Sequence, residues 1–593
     1  MCGIFGVIGT EKNSAHIVFE GLRKLEYRGY DSFGIYAKTS DGKPFLLKKT
    51  GAVPHKEPKL PESYFALGHT RWATHGGVTV ANAHPHTDCH RSIFVVHNGI
   101  VENMQELKKE LIRKRHHFGS STDTEIIPHL IESFLKDNKD PVEATRQAFL
   151  KLEGLNAIIA AFPEENLFVC AKNTSPITIG KKGNTYYFAS DPNALSTFTH
   201  TVHFLEDQTI VAITKKDISL YDVDTKKPLS CDFIEYEPVS FSHHKNPHAH
   251  LMLKEIYEQP DVIKRIIHHT TSLSPLEKAL KTSYGAYLIG AGSAGFAGLF
   301  GTYIFSKIGK RHVNFSPASE FAYIVDFLTP RSLVIALSQS GETADTISAV
   351  KAAQKKGSTL AAITNVFSST LYRLCPLKIL LEAGQEQCVL ATKSFMAKLT
   401  VLMLLAASFH HDEKIHMLLE NTADEMIIMK EHNYLEAIQQ SARVISQAPH
   451  VLLIGRGAQY PLALEGALKI KEGSYVHAEG LAGGELKHGP IALIEKGENG
   501  QTGTPCIVLA ASDETYTDTI SNAEELKSRG AYIIGIGSKK HPVFDQFLTI
   551  KDISHGSYLL ATYVLQLLGY YTAVLRGVNP DRPRNLAKSV TVK

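Results

Sequence analysis

Cys2, the second residue of the chain, is the first group that could carry out chemistry. If Met1 is removed, the thiol and the free α-amine belong to one residue, and an α-amine with a pKa of roughly 7.7–8.0 is partly unprotonated at neutral pH. Because a cysteine nucleophile needs an adjacent base or a lowered pKa, such a residue carries both groups that nucleophilic catalysis requires. A cysteine at position two is by itself more often an ordinary buried residue, so the hypothesis depends on the residues that accompany it.

Three polar segments accompany Cys2, and together they suggest acyl transfer from an amino acid. The amide of Asn98 and the backbone N–H of Gly99 could both donate to a developing oxyanion. Arg71 could bind a carboxylate with two hydrogen bonds, and Asp123 could pair with an amine. Taken singly, these residues could equally form a surface ion pair, a turn and a helix cap. The segments are 68–76, 97–103 and 121–125.

A second polar group follows the short apolar run Val334–Leu337 and extends from Ser338 to Thr343. Hydroxyl groups and free backbone amides at the start of a helix, directly after a strand, form a ready site for an anion. Helix capping by a single serine or threonine is the simpler explanation. Three hydroxyl residues and a glutamine exceed what one cap needs, so the segment favours a phosphate-binding loop.

A third group lies further along the chain, where Glu465, Lys469 and Glu472 are spaced i, i+4 and i+7. This spacing places them on one helix face, where an exposed ion pair would contribute only about 0.2–0.5 kcal/mol. Moving a proton between two sugar carbons needs a carboxylate base and cations that polarise the oxygens. His488 can titrate near neutral pH, and Lys588, in a tail that is not of low complexity, could form a Schiff base.

The secondary structure that the sequence predicts around these groups differs between the two halves of the chain. Short alternating apolar runs in the first 230 or so residues predict a sheet-rich domain with few helices. The histidine-rich segment 242–250 predicts a linker; a metal-binding cluster is the alternative, although its spacing is irregular and no carboxylate or cysteine accompanies it. Beyond it, strand–loop–helix units follow one another, as expected for parallel α/β domains.

An internal repeat predicts two copies of one α/β domain. Leu288–Ser293 matches Leu453–Ala458, and Glu342–Ser348 matches Thr515–Ser521 at a similar offset. A GxG after a strand is weak evidence for a dinucleotide site, because no full GxGxxG followed by a ribose-binding acid is present.

The composition bounds the class of protein and its partners. The 593 residues are too many for one core, and a net charge of +3 gives no global field for nucleic acid or acidic membranes. Seven scattered cysteines without metal-ligand spacing, and the lack of a signal-like start, predict a cytoplasmic protein. The charge-free stretches Tyr287–Phe305 and Gly556–Leu575 contain glycine or polar residues, so we expect buried elements and not membrane spans.

Several motifs together resemble one family. They are Cys2-Gly3-Ile4, Tyr27–Ser32, His69–Gly76, His84-Pro85-His86 and His97-Asn98-Gly99. These motifs resemble the N-terminal-nucleophile glutamine amidotransferases, and nearly the whole chain is most similar to the glutamine:fructose-6-phosphate aminotransferase family. The resemblance implies an enzyme that transfers ammonia from L-glutamine to fructose 6-phosphate and isomerises the product to glucosamine 6-phosphate. It also implies a homodimer, and the reaction that it implies calls for no metal and no organic cofactor.

For the first half of the reaction, the resemblance implies that Cys2 attacks the glutamine amide and forms a glutamyl thioester, with its α-amine as the base, acting through water. The other implied roles are an oxyanion hole of Asn98 and Gly99, Arg71 on the glutamine carboxylate, Asp123 on its amine, and Trp72, the only tryptophan, at the ammonia passage.

For the second half, the resemblance implies an imine between Lys588 and the open sugar, and ring opening by His488 of the neighbouring subunit. Glu472 would move the proton between C1 and C2, with Lys469 and Glu465 in support. The residues implied on or near the sugar phosphate are Ser293, Ser338, Gln339, Ser340, Thr343, Val389 and Thr392.

The predicted fold class is α/β with an α+β N-terminal domain. The resemblance implies an N-terminal-nucleophile αββα glutaminase domain followed by two doubly wound parallel-sheet sugar isomerase (SIS) domains. The predicted boundaries are 1–230 for the amidotransferase domain, 231–260 for a linker, 261–430 for the first SIS domain, 431–580 for the second SIS domain with the isomerase residues, and 581–593 for an active-site tail.

The chain departs from the family pattern at three positions, which concern the sugar site. Ala294 and Ala391 stand where a serine is common, and Gly473 follows the presumed base where a larger apolar residue is usual. Two alternatives therefore stay open: an amidotransferase that acts on another ketose phosphate, and a non-catalytic sugar-phosphate sensor. A sensor would have no use for Cys2 and Glu472 together.

Overall fold

The computed structural model of the chain describes residues 2–138, 140–236, 247–269, 273–410, 412, 414–497 and 502–590. The chain divides into two compact units, one formed by Met1–Ser242 with Ala587–Lys593 and the other by His243–Leu586. Residues 242–246 of the histidine-rich segment and the last three residues of the predicted tail lie outside the described residues.

Antiparallel strands form the centre of the first unit. They are β1 Gly3–Ile8, β2 Ser32–Thr39, β3 Pro44–Thr50, β4 Ser63–Arg71, β5 His86–Thr87, β6 Phe94–Gly99, β7 Asn156–Phe162, β8 Leu167–Lys172, β9 Thr178–Lys182, β10 Thr185–Ala189, β11 Thr201–Phe204, β12 Thr209–Ile213, β13 Ile218–Asp222, β14 Pro228–Leu229 and β15 Ile234–Glu235. Among the described residues, one sheet has the order β15-β11-β9-β10-β1-β4-β2-β3 and the other has the order β14-β13-β12-β8-β7-β6-β5.

Four helices cover the two sheets in the described part of this unit: α1 Ser14–Leu25, α2 Met104–Arg113, α3 Ile126–Asn138 and α4 Pro141–Lys151. Apolar side chains of both sheets, such as Leu67 and Val96, share one buried core. Helix α1 buries Val18 and Leu22, four residues apart, against the outer face of the first sheet. Helices α2–α4 contribute residues such as Ile127 to a core on the second sheet. The predicted αββα layering is confirmed.

The second unit begins with helices and a parallel sheet. Its elements up to residue 428 are α5 Leu251–Tyr257, α6 Gln259–His269, α7 Ser274–Thr282, β16 Gly285–Gly290, α8 Ser293–Lys307, β17 Asn314–Pro317, α9 Ala318–Phe321, β18 Ser332–Ser338, α10 Ala344–Lys355, β19 Thr359–Thr364, α11 Thr370–Leu374, β20 Leu377–Leu380, α12 Lys393–Ala407 and α13 Lys414–Ile428. The strands are parallel in the order β17-β16-β18-β19-β20.

The remainder of the second unit repeats this design. It contains α14 His432–Gln447, β21 His450–Gly455, α15 Tyr460–Ser474, β22 His477–Ala482, β23 Pro505–Ala510, α16 Tyr516–Ser528, β24 Tyr532–Gly537, β25 Gln546–Thr549 and α17 Ser557–Leu575. The parallel order β22-β21-β23-β24-β25 has the same connectivity as the first sheet. The predicted repeat of a doubly wound domain is confirmed, because the matched segments 288–293 and 453–458 both run from the first strand of a sheet into the turn and helix that follow it.

Both charge-free stretches lie in the core of the second unit. Tyr287–Phe305 contains most of β16 and α8, and Gly556–Leu575 contains α17. The segment Ser554–Leu575 is long and apolar enough to cross a membrane, but 83% of its apolar window is buried inside the protein. An apolar helix that is buried on all sides is typical of the core of a large domain, as the sequence predicted.

Candidate active sites

Cys2 lies at the start of β1, beside the end of β4. Gly3 pairs with Thr70, and a Cβ atom at Gly3 would lie 2.6 Å from Thr70 Oγ1, so only glycine lets the strands approach this closely. The backbone N–H of Trp72 donates to Cys2 Sγ at 3.4 Å. Burial raises the pKa of the Cys2 thiol, and the Trp72 N–H and the charge of Arg71 only partly oppose this rise. The thiol therefore becomes a nucleophile only when a base takes its proton.

Asn98 and Gly99 end strand β6 beside Cys2. The side-chain nitrogen of Asn98 donates to the carbonyl oxygen of Cys2 at 3.2 Å. His69 Nε2 lies 3.2 Å from Asn98 Oδ1 and 3.0 Å from a backbone oxygen of β6. Gly99 has a φ of +149°, and a Cβ atom there would lie 2.2 Å from another backbone oxygen, so no side chain fits. The structure thus brings the two predicted oxyanion donors to one strand end next to Cys2.

Arg71 ends β4 and is buried. Its guanidinium donates to the backbone oxygens of His75, Gly76 and Gly77 at 2.5, 3.1 and 3.2 Å. These bonds hold the exposed turn 74–77 against the end of the strand. The sequence predicted a contact between Arg71 and a substrate carboxylate; that role stays a prediction, and the structure adds a role in ordering the turn.

Asp123 is buried on the loop that leads into α3. Its Oδ2 accepts a hydrogen bond from the backbone N–H of Val101 at 2.8 Å. The next residue, Thr124, lies 3.0 Å from Nδ1 of His97, whose Nε2 lies 2.9 Å from Asn156 Oδ1. This hydrogen bond therefore holds the predicted amine-binding carboxylate of Asp123 against Val101, which follows Asn98 and Gly99 in the sequence.

Three buried histidines surround the site and carry no role in the sequence analysis. Burial lowers the pKa of His69 and of His86 to about 3, and it lowers that of His84 well below the usual value. The rings of His69 and His84 stack with centroids 4.1 Å apart. Neutral imidazoles both donate and accept hydrogen bonds, so these residues orient their neighbours. The motifs His69–Gly76 and His84-Pro85-His86 contain all three histidines, but the sequence did not indicate which groups these histidines contact.

The predicted phosphate loop lies in the second unit, between the end of β18 and the start of α10. Ser338 Oγ accepts from the N–H of Gly341 at 3.0 Å and lies 3.3 Å from Thr343 Oγ1. Thr343 holds the N-cap position, yet its side chain makes no capping hydrogen bond. Ser340 Oγ accepts from the N–H of Glu342 at 3.1 Å. Capping of α10 therefore does not account for the Thr343 hydroxyl, whereas Ser338 and Ser340 stabilise the turn before the helix; a helix N-terminus favours an anion.

Two of the other predicted sugar positions lie at helix starts of the same unit. Ser293 is the first residue of α8, and Thr392 is the N-cap of α12. The hydroxyl oxygen of Thr392 is buried and has no hydrogen-bond partner among the described residues. The N–H of Val389 donates to the backbone oxygen of Asp581 at 3.2 Å. Their roles toward a sugar stay predictions.

Glu465, Lys469 and Glu472 lie on one face of α15, as their spacing predicted. Lys469 Nζ is 2.6 Å from Glu472 Oε2 and 3.6 Å from Glu465 Oε1. Burial raises the pKa of Glu465 to about 7, while the charge of Lys469 and the hydroxyl of Ser293 lower it. Burial disfavours the charge on Lys469, but the two carboxylates outweigh it and raise the pKa of this amine. The exposed surface pair that the spacing alone would allow is therefore a charge cluster in which Glu465 and Lys469 are buried and Glu472 is half-buried.

His488 and Lys588 are distant from α15 in the sequence. His488 belongs to the same unit as α15, and Lys588 belongs to the other unit. His488 is exposed at the end of a short 3₁₀ helix that follows β22. Lys588 belongs to the segment Ala587–Lys593 of the first unit. Their predicted roles in ring opening and imine formation stay predictions.

Matches to protein families follow the same division of the chain. Residues 69–197 match the glutamine amidotransferase domain, and residues 280–408 and 444–576 match the SIS domain. The fold and the sites thus define a glutamine amidotransferase joined to a pair of SIS domains.

Similar proteins narrow this class to one family. The chain is 41% identical to the glutamine–fructose-6-phosphate aminotransferase (isomerizing) of Pyrococcus horikoshii and 39% identical to that of Thermococcus kodakarensis, over 100% of each chain. It is 31% identical, with a TM-score of 0.52, to the C-terminal domain of glucosamine-fructose-6-phosphate aminotransferase from Francisella tularensis, covering 58% of this chain and 100% of that one. The chain belongs to the family of glutamine–fructose-6-phosphate aminotransferases (isomerizing).

Proposed function

We propose a division of labour between the two units for the reaction of this family. The reaction transfers ammonia from L-glutamine to fructose 6-phosphate and isomerises the product to glucosamine 6-phosphate. The first unit would release the ammonia, and the second unit, together with Lys588 of the tail, would bind and isomerise the sugar. The observation that carries this proposal is the placement of Cys2 between the N–H of Trp72 and the side-chain amide of Asn98.

In the glutaminase half, Cys2 Sγ attacks the amide carbon of glutamine and gives up its proton to the α-amine that removal of Met1 exposes. The proton then passes to the leaving nitrogen, so that ammonia departs and a glutamyl thioester remains. Water hydrolyses the thioester to glutamate and restores the thiol. Asn98 and Gly99 would donate to the oxyanion in both steps. Arg71 and Asp123 would hold the carboxylate and the amine of glutamine, and Trp72 would line the path of ammonia.

In the isomerase half, the phosphate would bind the start of α10, where Ser338, Gln339, Ser340 and Thr343 offer donors. Ser293, Val389 and Thr392 would complete the sugar site. The open sugar would form an imine with Lys588 after His488 has assisted ring opening. Glu472 would then carry a proton between C1 and C2. The ammonium of Lys469, 2.6 Å from Glu472 and paired with Glu465 on its other side, supports this base by holding its carboxylate in place.

We propose further that the chain acts as a homodimer in the cytoplasm. The dimer is suggested by the family pattern, in which a neighbouring subunit contributes the residue that corresponds to His488. A reducing compartment fits the seven cysteines, all of which are free thiols. Size-exclusion chromatography with light scattering would test the dimer directly, and a monomer with full activity would contradict it.

A coupled assay with glutamine and fructose 6-phosphate tests the proposal. We expect equimolar glutamate and glucosamine 6-phosphate, and we expect Cys2→Ala to abolish both. Cys231→Ala is the matched control, because this free cysteine lies outside the site. Glutamate without amino sugar would indicate another ketose phosphate as the acceptor. Neither product, with Met1 shown to be absent by mass spectrometry, would favour a sugar-phosphate sensor.

A further inference from the structure

Four side chains with metal-binding atoms meet in the first unit, outside the proposed glutamine site. Cys89 follows β5, His116 follows α2, and His129 and Glu132 are three residues apart on α3. The sulfur, one nitrogen of each imidazole and one carboxylate oxygen all lie within 4.8 Å of one another. Both histidines and the glutamate are buried, whereas Cys89 is exposed and leaves a route from solvent.

Five of the six distances between the four ligand atoms are close to the edges of a small tetrahedron, and the sixth, between the Cys89 sulfur and the Glu132 carboxylate, is within 4.8 Å. Cys89 Sγ lies 3.7 Å from Nδ1 of His116 and 3.6 Å from Nδ1 of His129, and these two nitrogens are 3.3 Å apart. Glu132 Oε2 lies 3.1 and 3.6 Å from the same two nitrogens. A tetrahedral zinc ion with ligands at about 2.0–2.3 Å has ligand-to-ligand edges of about 3.3–3.6 Å.

We propose that Cys89, His116, His129 and Glu132 bind one zinc ion as a closed structural site. One thiolate, two imidazoles and one carboxylate are all ligands that zinc accepts in tetrahedral geometry, and four protein ligands leave no open position for chemistry. A soft thiolate with imidazoles disfavours magnesium and calcium, which prefer sets of oxygen atoms. The four ligands come from three separate parts of the chain: the segment after β5, the segment after α2, and helix α3.

Several polar groups surround the cluster. The backbone N–H of His117 donates to the Cys89 sulfur, and the backbone N–H of Cys89 donates to Glu132 Oε2 at 3.2 Å. Glu125 Oε1 lies 3.9 Å from Nε2 of His129, the ring nitrogen that faces away from the other ligands. Lys136 lies 3.2 Å from Glu132 Oε1 and so leaves Oε2 as the oxygen that faces the nitrogens.

The site would act on the loop that carries Asp123. This loop lies between His116 and His129 in the sequence, and zinc would tie both of its ends to the segment after β5. Glu125 also accepts hydrogen bonds from the N–H groups of Gly119 and Ser120, both at 2.7 Å, within the same loop. Zinc would therefore stabilise the first unit and keep Asp123 in place for glutamine, without contacting the substrate.

Metal analysis of the purified full chain, incubated with zinc chloride and then freed of loosely bound metal, tests the proposal. We expect one tightly bound zinc ion per chain in the wild type and at least a tenfold weaker affinity in Cys89→Ser and His116→Ala. His117→Ala is the matched control, because this adjacent histidine is exposed and contributes only its backbone. Equal zinc content in His116→Ala and His117→Ala would overturn the proposal, since the histidine-rich segment 242–250 is intact in both.

Two measurements on the wild type keep the test valid if these variants do not fold. Cobalt(II) in place of zinc should give the intense visible bands of a tetrahedral ion and a thiolate-to-metal charge-transfer band. Zinc should also protect Cys89 from alkylation by iodoacetamide, while Cys231 reacts to the same extent with and without the metal. An octahedral cobalt spectrum, or alkylation of Cys89 that zinc does not slow, would overturn the proposal.

Discussion

His69 donates a hydrogen bond from Nε2 to the side-chain oxygen of Asn98, 3.2 Å away, and so sets which end of that amide faces Cys2. The second partner of this nitrogen, 3.0 Å away, is a backbone carbonyl oxygen. Because both partners are acceptors, Nε2 must carry the proton, and the low pKa of His69, which burial causes, keeps the ring neutral. The oxygen of Asn98 is held by His69, and its NH₂ group is therefore directed toward Cys2.

The first prediction concerns this orientation. Asn98→Ala removes one donor to the oxyanion, and we expect kcat for glutamine hydrolysis to fall about 10²–10³-fold. His69→Phe leaves the amide of Asn98 free to rotate, so we expect a fall in kcat with little change in KM for glutamine. His69 is a positioning residue, and the double variant should lose no more activity than Asn98→Ala alone. Additive losses, or a rise in KM alone, would show that His69 acts in another way.

The second prediction concerns the base that activates Cys2. Because burial raises the pKa of the thiol, Cys2 is protonated near neutral pH and needs the α-amine to take its proton. The amine acts only when unprotonated, so kcat/KM for glutamine should rise with pH and level off above roughly 7.7–8.0. Steady-state rates from protein whose Met1 is shown by mass spectrometry to be absent provide the measurement. A rate that rises only above the usual pKa of a thiol would argue against the amine.

Local patterns in the sequence predicted most of the fold and part of the sites. The i, i+4, i+7 spacing placed Glu465 and Lys469 on one helix face, and the internal repeat predicted two parallel sheets with the same order. Such features depend on neighbours in the chain. The bond between His69 and Asn98 joins different strands in different sheets, and the cluster around Cys89 joins three separate segments. No spacing rule marks contacts of this kind, which is why the sequence analysis expected no metal site.

The third prediction concerns the phosphate loop. Ser338 Oγ accepts the N–H of Gly341 and contacts Thr343, so Ser338→Ala removes a hydroxyl and loosens the turn. Loss of hydrogen bonds worth about 1–2 kcal/mol should raise KM for fructose 6-phosphate roughly 5–30-fold. Glutamine hydrolysis without sugar should not change. Ser528→Ala, an exposed serine at the end of α16, is the control and should leave both activities unaffected. An unchanged KM for the sugar would remove Ser338 from the phosphate site.

The fourth prediction follows from the raised pKa of Glu465, which burial brings to about 7 in the folded protein, against about 4.3 in an unfolded chain. Between these two values the folded state binds a proton that the unfolded state has released. The contribution of this group to stability therefore falls as the pH rises through this window, by about 4 kcal/mol in all.

The Glu465→Gln variant has no titratable group at this position, so its stability does not decrease with pH for this reason. Relative to the wild type, its Tm should increase when the pH is raised from below the window to above it. Calorimetry of both proteins at the two ends of the window compares them directly, because all other titrating groups are shared. A Tm difference that does not change with pH would mean that Glu465 is already ionised at the lower pH, with Lys469 as its partner in the buried cluster.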